Sequence, residues 1–189
     1  MKVVQEFQGH TDKVNEAWFT NINDEDLLNA IFSASDDTTV KIWDKRSGGQ
    51  PVQTLTNPLK QALFCLDTTQ NDILVGSREL LVLYDLWKMK IRHTFQDSHS
   101  NDVTGVAFNK DKPNFAISCG EDYLLNLYDL NGEKSDDYIE SAFTASQPLA
   151  SCGFMQGTSL AYVTSTVGTL EMVDIEEMVQ VKEFTKFEH

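Results

Sequence analysis

Short apolar runs, rich in β-branched residues or leucine, recur along the chain at a nearly constant spacing, and polar or glycine-containing stretches divide them. Nowhere do apolar residues return with a helical period, so the pattern predicts strands and no helices. Three runs end alike: Val40-Lys41-Ile42-Trp43-Asp44, Leu81-Val82-Leu83-Tyr84-Asp85 and Leu125-Asn126-Leu127-Tyr128-Asp129. A weaker fourth copy is Leu170-Glu171-Met172-Val173-Asp174. The residues before the four aspartates stand 41, 44 and 45 positions apart.

Each period holds the same predicted elements. A first strand, a, is expected at 14–20, 62–68, 103–109 and 149–155, and a second, b, at 28–33, 72–75, 114–118 and 159–164. Strand c is the run ending in aspartate, and a fourth, d, is expected at 51–55, 91–96, 138–144 and 179–187. The acidic stretches 21–26 and 132–137 read as loops. Four strands in roughly 40 to 45 residues is the size of one β-propeller blade. The expected fold is therefore all-β: a single partial propeller over 1–189, with four-stranded antiparallel blades at approximately 9–56, 57–97, 98–145 and 146–189. Residues 1–8 are expected to supply the outer strand, at 3–8, of a preceding blade. Four blades and one leading strand leave an unpaired edge, which predicts a piece of a larger ring. Two copies pairing into eight blades, or a partner supplying blades, are the alternatives.

The first repeat carries the fullest motif: Gly9-His10 opens it, Ser33-Ala34-Ser35-Asp36-Asp37 turns from b to c, and Trp43-Asp44 closes c. These residues resemble the WD40-repeat family. The resemblance implies a seven-bladed ring and a buried hydrogen-bonded tetrad at His10, Ser33, Asp37 and Trp43. In the third repeat His99, Ser118, Asp122 and Tyr128 hold the corresponding places, with a phenol for the indole. Repeat two has Asn57-Pro58 in place of Gly-His, Leu74 at the serine position and Arg78 at the aspartate position, and repeat four lacks the histidine, aspartate and aromatic. Buried tetrads of this kind satisfy their own polar groups and pin blade geometry.

Composition narrows the function. Lys and Arg number 15 against 29 Asp and Glu, a formal charge of −14, so a phosphate backbone is repelled and neither direct nucleic acid nor membrane binding is expected; the acidic surface serves solubility first, and basic proteins or peptides are the partners it could attract. Cys65, Cys119 and Cys152 are widely separated and form no CxxC pair, which signals neither zinc nor a disulfide framework and fits a reducing, intracellular compartment, cytoplasmic or nuclear. Cys65 and Cys152 are expected to share a strand register with Ala17 and Val106 and to point inward.

No catalytic, cofactor-binding or metal site is expected. His10, Ser33 and Asp37 contain the residue types of a nucleophilic triad, but the set recurs with an aromatic partner and without a nucleophile elbow. Gly48-Gly49 reads as a turn and not a phosphate loop, and Asp24-Glu25-Asp26 lacks calcium-loop spacing. The expected function is a non-catalytic interaction scaffold whose contacts, by family analogy, fall on Lys13, Asp36, Ser77, Asn101 and Glu121. The alternative rests on Trp43-Asp44-Lys45-Arg46, which fits the WDxR signature that in this family marks substrate receptors of cullin-4 ubiquitin ligases; Asp44 and Arg46 would then dock on the adaptor. Open blade edges would also favour self-association.

Overall fold

The computed structural model describes residues 5–19, 30–46, 48–131 and 138–185. Among these, sixteen strands form four antiparallel sheets, each a four-stranded meander in chain order. The first sheet contains β1 (Val14–Phe19), β2 (Ala30–Ser35), β3 (Thr39–Asp44) and β4 (Pro51–Thr56). The second contains β5 (Cys65–Thr68), β6 (Asp72–Gly76), β7 (Leu81–Asp85) and β8 (Lys90–Phe95). The third contains β9 (Val103–Phe108), β10 (Phe115–Gly120), β11 (Leu124–Asp129) and β12 (Ile139–Thr144). The fourth contains β13 (Leu149–Phe154), β14 (Leu160–Ser165), β15 (Thr169–Asp174) and β16 (Val179–Thr185). No helix among the described residues is long and apolar enough to cross a membrane.

The strands expected from the sequence are present, with shifted ends. The second strands run one or two residues further, as far as Ser35 and Gly120, and the segment 62–64 connects sheets instead of opening β5. Residues 3–4, 20–29, 132–137 and 186–189, including Asp24-Glu25-Asp26 and both long acidic loops, lie outside the described residues. Residues 5–8 carry no strand pairing of their own; the Gln8 amide donates to the Gly49 carbonyl at 3.0 Å. Gly48 and Gly49 form the expected turn, both at positive φ, and a side chain at Gly49 would strike the Glu6 carbonyl oxygen.

Apolar runs replace strict alternation in the second and third strands because both faces of the inner sheets are covered. Ile73, Val75 and Tyr84 pack toward the first sheet, while Leu74, Leu81 and Leu83 on the same strands pack toward the third. The pattern repeats one sheet on, where Ala116 and Tyr128 face backward and Ile117, Cys119, Leu125 and Leu127 face forward. Three apolar clusters therefore fill the three junctions between successive sheets, and among the described residues no such cluster joins the first sheet to the fourth. What lies open is a pair of sheet faces, which corrects the edge argument: every blade keeps two free edges, at its first and last strands, whether or not a ring closes. On the first sheet the open face carries Ala17, Ile31 and Trp43; on the fourth it carries Tyr162, Leu170 and Met172.

Register within the second sheet also departs from expectation. Val75, not Leu74, stands opposite β7 where Ser33 and Ser118 stand opposite β3 and β11, because the β6–β7 turn is one residue shorter. Leu66, and not Cys65, consequently shares the register of Ala17, Val106 and Cys152, while Cys65 matches Gly105. Cys65 and Cys152 are buried as expected, whereas Ala17 is exposed on the open face.

Candidate functional site

Two polar networks stand out. In the first, His10 Nδ1 lies 2.7 Å from Asp37 Oδ2, His10 Nε2 lies 2.7 Å from Ser33 Oγ, and the Trp43 indole N–H donates to Ser33 Oγ at 2.8 Å. The carboxylate can only accept, so His10 Nδ1–H donates to Asp37, and the indole N–H fills one lone pair of Ser33 Oγ. In the second, His99 Nδ1 faces Asp122 at 2.9 Å, Nε2 lies 2.6 Å from Ser118 Oγ, and Ser118 Oγ lies 2.9 Å from the Tyr128 hydroxyl. Both tetrads expected from the sequence are thus assembled.

Each aspartate also organises its turn. Asp37 accepts from the Thr11 and Thr39 amides and the Thr39 hydroxyl, and Asp122 accepts from the Ser100 and Leu124 amides. Between the aspartate and the next strand stand Thr38 and Tyr123, at φ of 72° and 71°, a left-handed conformation that non-glycine residues adopt at a cost of about 1 kcal/mol or more. The carboxylate caps hold that strained residue in place. Burial alone would raise the Asp37 carboxyl, but hydrogen bonds from Thr39, His10 and the Thr11 amide, with the charge of His10, outweigh it and hold it down to about 2. Burial lowers the His99 imidazole against the opposing pull of Asp122, and it pushes the Tyr128 phenol up to about 12.

The order Asp, His, Ser matches a nucleophilic triad, yet the geometry serves structure. Ser33 and Ser118 are buried, and each hydroxyl is engaged both by an imidazole and by an aromatic side chain. Among the described residues no three His, Cys, Asp or Glu side chains converge as metal ligands.

The second and fourth sheets solve the same positions differently. In the second sheet Asn57, just after β4, donates to Ser77 Oγ at 3.2 Å and to the Gln61 carbonyl, while Ser77 donates to the Ala62 carbonyl at 2.7 Å. Ser77, expected as a rim contact, is fully buried and its hydroxyl is spent on this internal network. In the fourth sheet Val163 and Val173 replace serine and aromatic, and Glu171 occupies the place of Asn126. Glu171 is buried; its Oε1 lies 3.4 Å from Ser146 Oγ and its Oε2 has no partner among the described residues. Burial and the neighbouring Glu183 raise its carboxyl. Asn126 and Glu171 escaped the sequence reading because only their placement on a tetrad face makes them notable.

The other expected contacts lie on one face, formed by the b–c turns and the segments entering each first strand. Lys13, Asn101 and Glu121 are exposed there, and Asp36 is half-buried with its carboxylate held by the Asn15 amide at 2.6 Å. The Asp36 amide donates to the Lys13 carbonyl and the Glu121 amide to the Asp102 carbonyl, so both repeats brace this rim identically. Asp44 and Arg46 lie on the opposite face, at the c–d turn, where the guanidinium engages both carboxylate oxygens at 2.8 to 3.1 Å.

Comparison with known proteins agrees with this construction. The model of the WD domain, G-beta repeat, matches residues 1–44 and 89–129, the two repeats that carry the tetrads. The chain is 30% identical over 183 residues to the WD repeat-containing protein 89 homolog of Dictyostelium discoideum, covering 96% of this chain and 49% of that protein. It is 28% identical over 177 residues to the WD repeat-containing protein GTS1 of Arabidopsis thaliana, covering 91% and 45%. The chain thus spans about half the length of the curated relatives it matches. Among solved structures, U3-55K superposes with a TM-score of 0.79 at 18% identity, covering 94% of this chain and 53% of that one, and the RRP9 WD40 repeats with 0.77 at 17%, covering 93% and 52%.

Proposed function

The chain belongs to the WD40-repeat family, and from that premise we propose that it is a non-catalytic scaffold that holds other proteins through the rim bearing Lys13, Asp36, Asn101 and Glu121. WD40-repeat proteins are generally interaction scaffolds. The observation that carries the reading here is the bracing of equivalent rim positions in two repeats by the same buried device. Asp37 and Asp122 spend their carboxylates holding turns, and of the residues before them Glu121 is exposed while Asp36 is half-buried and held by Asn15. Carboxylates outnumber cations on this rim, with Asp12, Asp102 and Glu121 beside Lys13, so basic segments are the favoured partners. Free buried cysteines fit a reducing compartment, and we place the protein inside the cell on that ground.

The test is chemical cross-linking in cells, comparing the chain with Glu121→Lys and Lys13→Glu variants whose melting curves match the parent. Loss of the same cross-linked partners in both is the expected result. An unchanged set of partners overturns the rim assignment.

A second reading makes the chain a substrate receptor for a cullin-4 ubiquitin ligase. It is favoured by one observation, the Asp44–Arg46 fork, which orders the WDxR motif on the face opposite the rim. Arg46→Ala is expected to abolish capture of the purified ligase adaptor without altering the fold; retained capture removes the reading.

A further inference from the structure

The junctions between sheets two and three and between sheets three and four are built on one register, and comparing them exposes a site. In the first of these junctions the outer part is plugged. His93 stacks against Phe95 and Tyr138, both with ring centroids at 4.5 Å. Beside it Arg92 pairs with Asp72 at 2.9 Å and donates to the Leu130 carbonyl at 3.0 Å.

One sheet further on, every part of the plug is replaced. Ser141 stands opposite Leu127 as His93 stands opposite Leu83, and Glu140 falls at the same irregularity of the ladder as Arg92. Phe115 takes the place of Asp72, and Val179 that of Tyr138. Removing a ring and a guanidinium leaves a groove of about 730 Å³ floored by Phe115, Leu127 and Ile175. Among the described residues its walls bring three carboxylates, Asp111, Glu140 and Glu176, against one cation, Lys112, with Asp111 also accepting from the Gly157 amide at 2.7 Å. The groove is the complement of the missing plug in both shape and charge.

We propose that this groove between the third and fourth sheets binds a segment of another protein in which an arginine adjoins a histidine or aromatic residue. The arginine answers the carboxylates of Glu140 and Glu176, and the ring covers the apolar floor of Phe115 and Ile175. This site rests on the scaffold reading, but it lies on the side of the a–b and c–d turns, away from the rim of Lys13 and Glu121. One face would therefore hold one partner while the groove holds another.

The test uses the full chain and a fluorescein-labelled peptide, Ile-Arg-His-Thr-Phe, which copies positions 91–95, against Ile-Glu-Ser-Ala-Phe, which copies 139–143. Saturable anisotropy with the first peptide and none with the second, together with methyl shifts at Leu127 and Ile175, is expected. The plug variant Glu140→Arg with Ser141→His should abolish binding. The exposed-site variant Glu176→Gln, which leaves the core untouched, should weaken it about threefold, as for a partly screened surface charge. Equal binding of both peptides, or binding unchanged in both variants, overturns the proposal. So does a groove occupied by a second copy, seen as a dimer mass that the plug variant halves while the peptide fails to bind. Failure here leaves the rim reading standing, because the Glu121→Lys and Lys13→Glu variants do not touch the groove.

Discussion

Ser118→Ala removes one hydroxyl from the centre of the second network, and its cost follows from what that hydroxyl serves. Ser118 is fully buried and links His99 Nε2 at 2.6 Å to the Tyr128 hydroxyl at 2.9 Å. Alanine leaves both partners buried without it, and each orphaned group costs about 1–3 kcal/mol. The Asn126 amide, 3.4 Å from His99 Nε2, recovers part of the loss, so the expected destabilisation is about 3 kcal/mol. Tyr128→Phe leaves the Ser118–His99 bond intact and should cost about 1 kcal/mol. In the double variant the orphaned phenol is gone, so the total should be about 2 kcal/mol, below the sum of the single losses, with a coupling of about 2 kcal/mol.

Urea denaturation followed by far-ultraviolet ellipticity measures these differences, with Ser100→Ala as an exposed-serine control. If Ser118→Ala falls within about 0.5 kcal/mol of that control, or if the two losses simply add, the network is not a cooperative unit and the structural reading of the tetrad fails.

Acid should destabilise the fold in two stages. His99 is lowered by burial, so its contribution is full above its unfolded value near 6.5 and is lost as pH falls from there through its lowered folded value; Asp37, held at about 2, contributes about 2 kcal/mol above pH 4 that is lost between pH 4 and 2. A stability profile against pH that Asp37→Asn leaves unchanged below pH 4 would contradict this. Glu171 has the opposite sign: its raised value means the native state keeps its proton, so stability falls as pH rises from the ordinary carboxyl range through the raised value. Glu171→Gln should accordingly raise the melting temperature at pH 7 and change it little at pH 4, and equal shifts at both values would refute the account. Burial raises the Cys65 thiol, and Cys119 with burial raises Cys152; both should resist maleimide in the native protein and react in denaturant, and labelling of native protein within minutes would show that these junctions open.

How far the sequence spoke for the structure varied with the element. The third strands were legible because Trp43, Tyr84 and Tyr128 each end a run and are followed by aspartate. The ends of the second strands were not, since Ser35 and Gly120 resemble turn residues but are carried into the ladder by burial on both faces. Residues 62–64 look like strand because they are apolar, yet Leu63 is buried where its amide bonds the Ser35 carbonyl of the preceding sheet. Ser77 was misplaced, and Leu74 mistaken for Val75, for one reason: counting from the motif cannot reveal that a turn is a residue shorter. Both tetrads were legible since serine and aspartate keep fixed spacing from the Trp-Asp or Tyr-Asp pair and a histidine precedes each first strand by four residues. The groove was invisible because it is defined by residues on two repeats that matter only in comparison with a third.

The alternation of polar and apolar tetrad positions has its own physical logic. Tetrad positions always face the preceding sheet, so Ile73, Val75 and Tyr84 are covered by the first sheet and Val163 and Val173 by the third. The polar set of His99 lies in the junction between sheets two and three, where Phe95 packs edge-on to Tyr128 at 5.2 Å. Only the set of His10 lies on an open face, beside a groove lined by Phe7, Ile31 and Trp43. The His10 set satisfies its own donors and acceptors, and Phe7 covers its indole edge-on at 5.6 Å. Network and valines thus reach one end by two routes: the first pairs its polar groups internally, and the second has none to pair.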